Sequence, residues 1–175
     1  MRRTRSPDDV LAGPLPSKPQ PSGDRLLHLR EQFRREAVER RNGQSDGRWL
    51  RVLAYRLLPA RGVDPSDGWN TLQAEAERRG YEMGARFHDV AVPVTTTYVP
   101  GSRAGHGVHS PPWDRPGWRE VERLVRGGFA DGVIVIDRHE ISSDDGEYHT
   151  VIKKLGERYQ AFVHLVIPER QAAPT

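Results

Sequence analysis

From position 50 to position 167, short apolar runs alternate with segments whose apolar residues recur every three or four positions. The run "LRVLAYRL" at 50–57 reads as a strand, and "DGWNTLQAEAERRG" reads as a helix with Trp69, Leu72 and Ala76 on one side and Gly80 as its stop. "YEMGARFHDVAV" at 81–92 is a second strand. "DRPGWREVERLVRGG" is a helix opened by Asp114 and Pro116, turning Trp118, Val121, Leu124 and Val125 inward and closing at Gly127 and Gly128. "DGVIVID" supplies a third strand at 132–137, aliphatic on both faces and therefore covered on both. Asp144 and Glu147 have capping-box spacing ahead of the stripe Tyr148, Val151, Ile152, Leu155 and Tyr159, and a last strand follows at 160–167. Strands alternating with helices predict a three-layer α/β fold: a mainly parallel four-stranded sheet with helices on both faces.

Four regions follow. Residues 1–23 hold prolines at 7, 14, 16, 19 and 21 and read as a disordered basic arm. Residues 24–43 read as an amphipathic helix, with Asp24 as N-cap and Leu26, Leu29, Phe33 and Ala37 on its apolar stripe. The α/β domain spans 50–168 and carries a loop insertion at 94–114; residues 169–175 form a tail.

Charge is uneven. Residues 1–49 carry 11 basic and 7 acidic side chains, a net of +4, whereas 50–175 carry 16 and 17, a net of −1. The basic pI of about 9.5 thus comes from the N-terminal segment. With no cysteine there are no disulfides, thiolate nucleophiles or thiolate metal sites. The longest aliphatic run, "VIVI" at 133–136, is far shorter than a membrane span, and no apolar core follows the basic start. These features predict a cytoplasmic protein with no membrane partner, no cofactor and no metal.

Three phrases carry a resemblance to a known family. "RVLAYRLLP" matches a strand R-V-x-x-Y-x-R-x-S; "RRGYEMGARFHDVAV" matches a helix end leading into a second strand; "DRPGWREVERLVRGGFADGVIVID" matches R-P-G-x-x-x-L leading into the strand before D-R-L-[SG]-R. Over residues 50–167 the chain resembles the catalytic domain of serine recombinases, the resolvase and invertase family. The resemblance implies attack of a serine on a DNA phosphodiester, with arginines holding the phosphoryl oxygens. Carried over position by position, the serine falls on Pro59 and the arginine two residues before it on Leu57. The D-R-L-[SG]-R segment falls on His139, Glu140, Ile141, Ser142 and Ser143, so a carboxylate and a hydroxyl stand where two cations are expected, and Glu140 is expected to repel phosphate. Sliding the alignment brings Arg56 into one arginine slot, or Asp137 and Arg138 into another, but in no register is the serine recovered. The family's DNA-binding helix-turn-helix has no counterpart in these 175 residues.

Other chemistry is weaker. Ser143, Asp144 and Asp145 read as a helix N-terminus in preference to a catalytic cluster with His139. His106 and His109 in the insertion, with His88, Asp89 and Asp114, have poor metal spacing, and a mobile surface loop is preferred. The resemblance therefore implies a recombinase-like protein without catalysis, acting as a DNA-associated accessory or regulatory factor. DNA contact is assigned to Arg2, Arg3, Arg5, Arg30, Arg34, Arg35, Arg40 and Arg41. The alternatives are a protein-interaction module with a protein partner or a second copy and no nucleic acid, and, third, an active recombinase or hydrolase with a rearranged site.

Overall fold

A computed structural model describes residues 23–43, 49–92 and 110–169. Most of the expected arm, with Arg2, Arg3 and Arg5, lies outside the described residues, as do positions 94–109 of the expected insertion and 170–175 of the expected tail. The elements run α1 (Gly23–Asn42), β1 (Leu50–Leu58), α2 (Ser66–Arg79), β2 (Tyr81–Val90), α3 (Pro116–Arg126), β3 (Gly132–Val135), α4 (Asp145–Lys153) and β4 (Phe162–Leu165). One turn of π-helix, Lys154–Arg158, extends α4.

All pairings are parallel and the strand order is β2-β1-β3-β4. The expected sheet is therefore present, and parallel throughout. β3 is buried at each of its four residues, as its aliphatic run requires. Alternation along the strands sorts the two faces. Ala54, Ile134 and His164 are register neighbours on one face, where α1 and α2 pack. Tyr55, Val133 and Val163 point to the other, where the Tyr55 ring meets Trp118 of α3 edge-on with centroids 4.9 Å apart.

Two helix starts differ in kind. At α4, Asp144 accepts the Glu147 N–H at 2.8 Å, the cap expected from spacing. Glu147 does not reach back to close a capping box; it accepts the Ser142 hydroxyl at 2.6 Å instead. Asp114, expected to open α3, lies in a 3₁₀ turn, Pro112–Asp114, and the cap comes from another element. Asp89, near the end of β2, accepts the N–H groups of Gly117 and Trp118 at 2.9 and 3.0 Å. Gly117 is required there: a Cβ would stand 2.8 Å from both Asp89 Oδ2 and the His88 carbonyl.

The chain's C-terminal side also departs from expectation. Glu169, assigned to a tail, is 9% exposed and takes the Arg30 guanidinium on both oxygens, at 3.0–3.2 Å, and the Tyr148 hydroxyl at 2.7 Å. Helix α1 is consequently an integral part of the domain, its Leu26, Phe33 and Ala37 buried with those of the sheet and α4.

Candidate functional site

With α2 on one face and α3 and α4 on the other, the direction of winding reverses between β1 and β3. In open α/β sheets the crevice beyond the carboxyl ends of the strands at such a reversal is where ligands bind. A cleft of about 280 Å³ opens at that place, lined by Arg56, Leu57, Pro59, Ala91, Asp137, His139, Glu140 and Ser143. All five positions that the family alignment singles out, Leu57, Pro59, His139, Glu140 and Ser143, come together in its wall.

Each is placed by local structure. Leu57 belongs to the last turn-side residues of β1, and Pro59 follows directly after Leu58, where a residue without an N–H ends the strand. After β3 the chain makes a 3₁₀ turn, Arg138–Glu140, capped by the Asp137 carboxylate on the His139 N–H at 2.7 Å. That turn directs Glu140 inward. The Glu140 carboxylate is held at Oε1 by Arg56 Nε and at Oε2 by the Ile136 N–H, at 2.9 Å. Its backbone carbonyl accepts from Arg115, itself 3% exposed, at 2.8 Å. Burial pushes the Glu140 carboxyl above its ordinary range, against the pull of the Ile136 N–H and Arg56.

The expectation that Glu140 repels phosphate is corrected by this geometry. At 7% exposure it is turned into the protein and spends its charge on Arg56. Arg56 is the one arginine lining the cleft among the described residues, and it lies against Gly68 of α2, whose missing side chain makes the room: a Cβ there would meet the guanidinium at 1.1 Å. Arg138, the cation that a shifted alignment supplies, is directed elsewhere. Its guanidinium stacks over the Tyr148 ring at 5.1 Å, pairs with Asp145 and bonds the Ser143 carbonyl at 3.3 Å.

His139 Nδ1 and Ser143 Oγ are 3.3 Å apart at the exposed rim. The neighbouring carboxylates are engaged elsewhere, Asp137 on the His139 backbone N–H, Glu140 on Arg56 and the Ile136 N–H, Asp144 on the Glu147 N–H and Asp145 on Arg138, so among the described residues no carboxylate is seen on the His139 ring to orient it as the base of a nucleophilic triad. Among the described residues no group of three or more His, Asp or Glu is placed to hold a metal ion, and no helix is long and apolar enough to cross a membrane. His106 and His109 lie outside the described residues.

The arginines assigned to DNA separate into two sets. Arg30 is 2% exposed and locked to Glu169, so its assignment to phosphate is corrected: a guanidinium in that position cannot reach a duplex. Arg34 pairs with Glu31 at 2.9 Å and Arg41 with Asp131 at 2.8 Å, both part-buried. Arg35 and Arg40 are exposed, Arg40 also donating to the Gln160 carbonyl. Asp89, Arg56 and Arg115 matter more to the site than sequence reasoning indicated. The partners that join them across the site, Glu140 for both Arg56 and Arg115, and Gly117 for Asp89, lie 25–84 positions away, beyond the reach of any local spacing rule.

Neither a protein-family model nor a curated protein sequence matches the chain. Solved structures do. The C-terminal catalytic domain of ISC1926 TnpA, an IS607-like serine recombinase, superposes with a TM-score of 0.50 at 17% identity, over 69% of this chain and 73% of that one. The N-terminal catalytic domain of TP901-1 integrase superposes with a TM-score of 0.50 at 14% identity, over 66% of this chain and 76% of that one. The fold is thus that of serine recombinase catalytic domains, as the three sequence phrases implied.

Proposed function

We propose that this chain, built on the serine recombinase catalytic fold, is a DNA-associated accessory or regulatory factor that does not cleave DNA. The observation that carries the reading is the cleft itself. At the place where the fold would present a nucleophile and cations, the aligned positions hold Leu57 and Pro59, the arginine in the wall is already neutralised by Glu140, and the hydroxyl of the wall's serine, Ser143, meets only the ring of His139 at the rim among the described residues. Loss of a nucleophile costs on the order of 10⁶ in turnover for a covalent mechanism. DNA contact is assigned to Arg2, Arg3 and Arg5 of the arm and to the exposed Arg35 and Arg40 of α1.

The test pairs two measurements on the full chain. Duplex binding followed from 50 to 200 mM salt should give a log-log slope of about −0.9 per phosphate contact, and so about −4 to −5 for these five arginines. Incubation with supercoiled DNA carrying recombination sites should give no strand exchange and no covalent protein adduct. A phosphoserine link to DNA would overturn the reading.

A protein-interaction module is the second reading, favoured by one observation: Arg30, Arg34 and Arg41 are all engaged within the molecule. It takes the place of the first if the full chain shows no salt-sensitive binding to DNA near 50 mM salt.

A further inference from the structure

The amino end of the sheet, remote from the cleft, carries a second concavity of about 430 Å³. Arg34, Arg41, Arg78 and Arg79 line it together with Trp49 and Tyr81, and no carboxylate belongs to its lining among the described residues. Trp49, just before β1, is 68% exposed. One edge of its indole rests on Gly80, the left-handed residue that ends α2, where a Cβ would come within 3.1 Å of the ring. The ring therefore has a fixed seat and an open surface.

Arg78 and Arg79 both sit on Glu75, Arg78 through Nε and Nη2 at 2.7 Å and Arg79 through Nε at 3.0 Å. One carboxylate thus faces two guanidinium groups, and a positive charge is left over. A guanidinium carries five N–H donors. These bonds take two of them from Arg78, whose side chain is 63% exposed, and one from Arg79, whose side chain is 38% exposed. Cations in the last turn of a helix are the ordinary complement of its dipole. The dipole gives no reason for an indole two-thirds exposed at the same place.

We infer that this groove binds single-stranded nucleic acid, a base stacking on Trp49 while the adjoining phosphates bond Arg78 and Arg79. A basic channel with an aromatic platform is the arrangement that takes single strands with little sequence preference. Arg2, Arg3, Arg5, Arg35 and Arg40, to which duplex DNA is assigned, do not line this groove, and the two sites can succeed or fail separately.

Fluorescence anisotropy of the full chain with a labelled twenty-residue oligothymidylate, at 50 mM salt, tests the assignment. Trp49→Ala should weaken binding roughly 5- to 150-fold, the range for loss of one stacked base, and Trp49→Phe should recover most of it. Arg78→Gln should reduce the magnitude of the salt slope by about 0.7. An abasic oligomer of equal length should bind the wild type as weakly as oligothymidylate binds Trp49→Ala. Binding of a duplex through the arm should be the same in wild type and Trp49→Ala, so failure of the duplex reading would leave this result untouched. The inference is overturned if Trp49→Ala, with an unchanged circular dichroism spectrum, binds oligothymidylate as the wild type does, or if the abasic oligomer binds equally well.

Discussion

Arg56 and Glu140, 84 positions apart, pair across the reversal point of the sheet, the arginine from the end of β1 and the glutamate from the turn after β3. Their side chains are 16% and 9% exposed, so the pair is largely withdrawn from water. Breaking such a pair on one side leaves a buried charge unmatched, which costs about 3 kcal/mol, whereas replacing both partners with apolar groups costs far less. Arg56→Ala and Glu140→Ala should therefore each lower the unfolding free energy by about 3 kcal/mol in urea titrations, and the double change to methionine should lower it by less than either. Additive losses in the double variant would rule this account out.

The same pairing bears on attempts to rebuild a catalytic site. Pro59→Ser restores a hydroxyl at the aligned position, yet Leu57 offers no cation and Arg56 remains bound to Glu140. No covalent adduct with supercoiled DNA is expected from this variant on denaturing gels. An adduct from Pro59→Ser alone would mean that the charge held in the Arg56 pair is available to phosphate after all.

Arg30 and Glu169 determine how the N-terminal segment can be removed. Both side chains are 3% exposed, and Tyr148 completes the network. Deleting residues 1–22 should leave the thermal midpoint nearly unchanged, while deleting 1–49 should unfold the domain, since Leu26, Phe33 and Ala37 leave the core with it. Glu169→Ala should cost about 3–5 kcal/mol, the loss typical of a broken buried pair. A well-folded chain starting at residue 50 would contradict this.

Acid sensitivity should centre on Glu75 and His164, paired at 2.8 Å between α2 and β4. Burial would raise the Glu75 carboxyl, but hydrogen bonds from Arg79, His164 and Arg78 outweigh it and hold the group at about 2. Burial lowers the His164 pKa, and the bond to Glu75 only partly offsets it. Both groups bind fewer protons folded than unfolded, so both contribute stability that is present at high pH and lost on acidification. The His164 share should fall as pH drops below about 6.5, and the Glu75 share as it drops from about 4.3 toward 2. Glu140, its pKa raised, acts in the opposite sense, so the windows are read as differences between wild type and variant. His164→Gln should flatten the urea midpoint between pH 7 and 5; an unaltered slope there would remove His164 from the explanation.

How far the sequence carried depended on the range of each interaction. Strand β3 was legible because four aliphatic residues in a row can only be covered on both faces, and α4 because Asp144 caps it three residues away. Local pattern could not reveal Arg30 as a core residue. It sits four positions after Leu26 on the buried stripe, but its partner lies 139 positions along the chain. The family alignment marked Glu140 as a lost cation and thereby located the cleft, while missing that the side chain turns inward onto Arg56. The cap on α3 was assigned to Asp114, its near neighbour, because nothing in the sequence links Asp89 to Gly117.

That cap also fixes the two ends of the long connection between β2 and α3. Asp89 grips Gly117 and Trp118 on one side of the joint, Tyr55 anchors the same carboxylate from the sheet at 3.0 Å, and Ser110 N–H reaches the Val92 carbonyl at 3.4 Å. The entry and exit of the connection are thereby held together, with Tyr55 and Trp118 tying the joint to the core. Doubling the length of a connection between ends so fixed costs only about 0.6 kcal/mol in closure entropy. A peptide tag spliced between Val92 and Ser110 should therefore leave the Asp89 contacts to Gly117 and Trp118 in place.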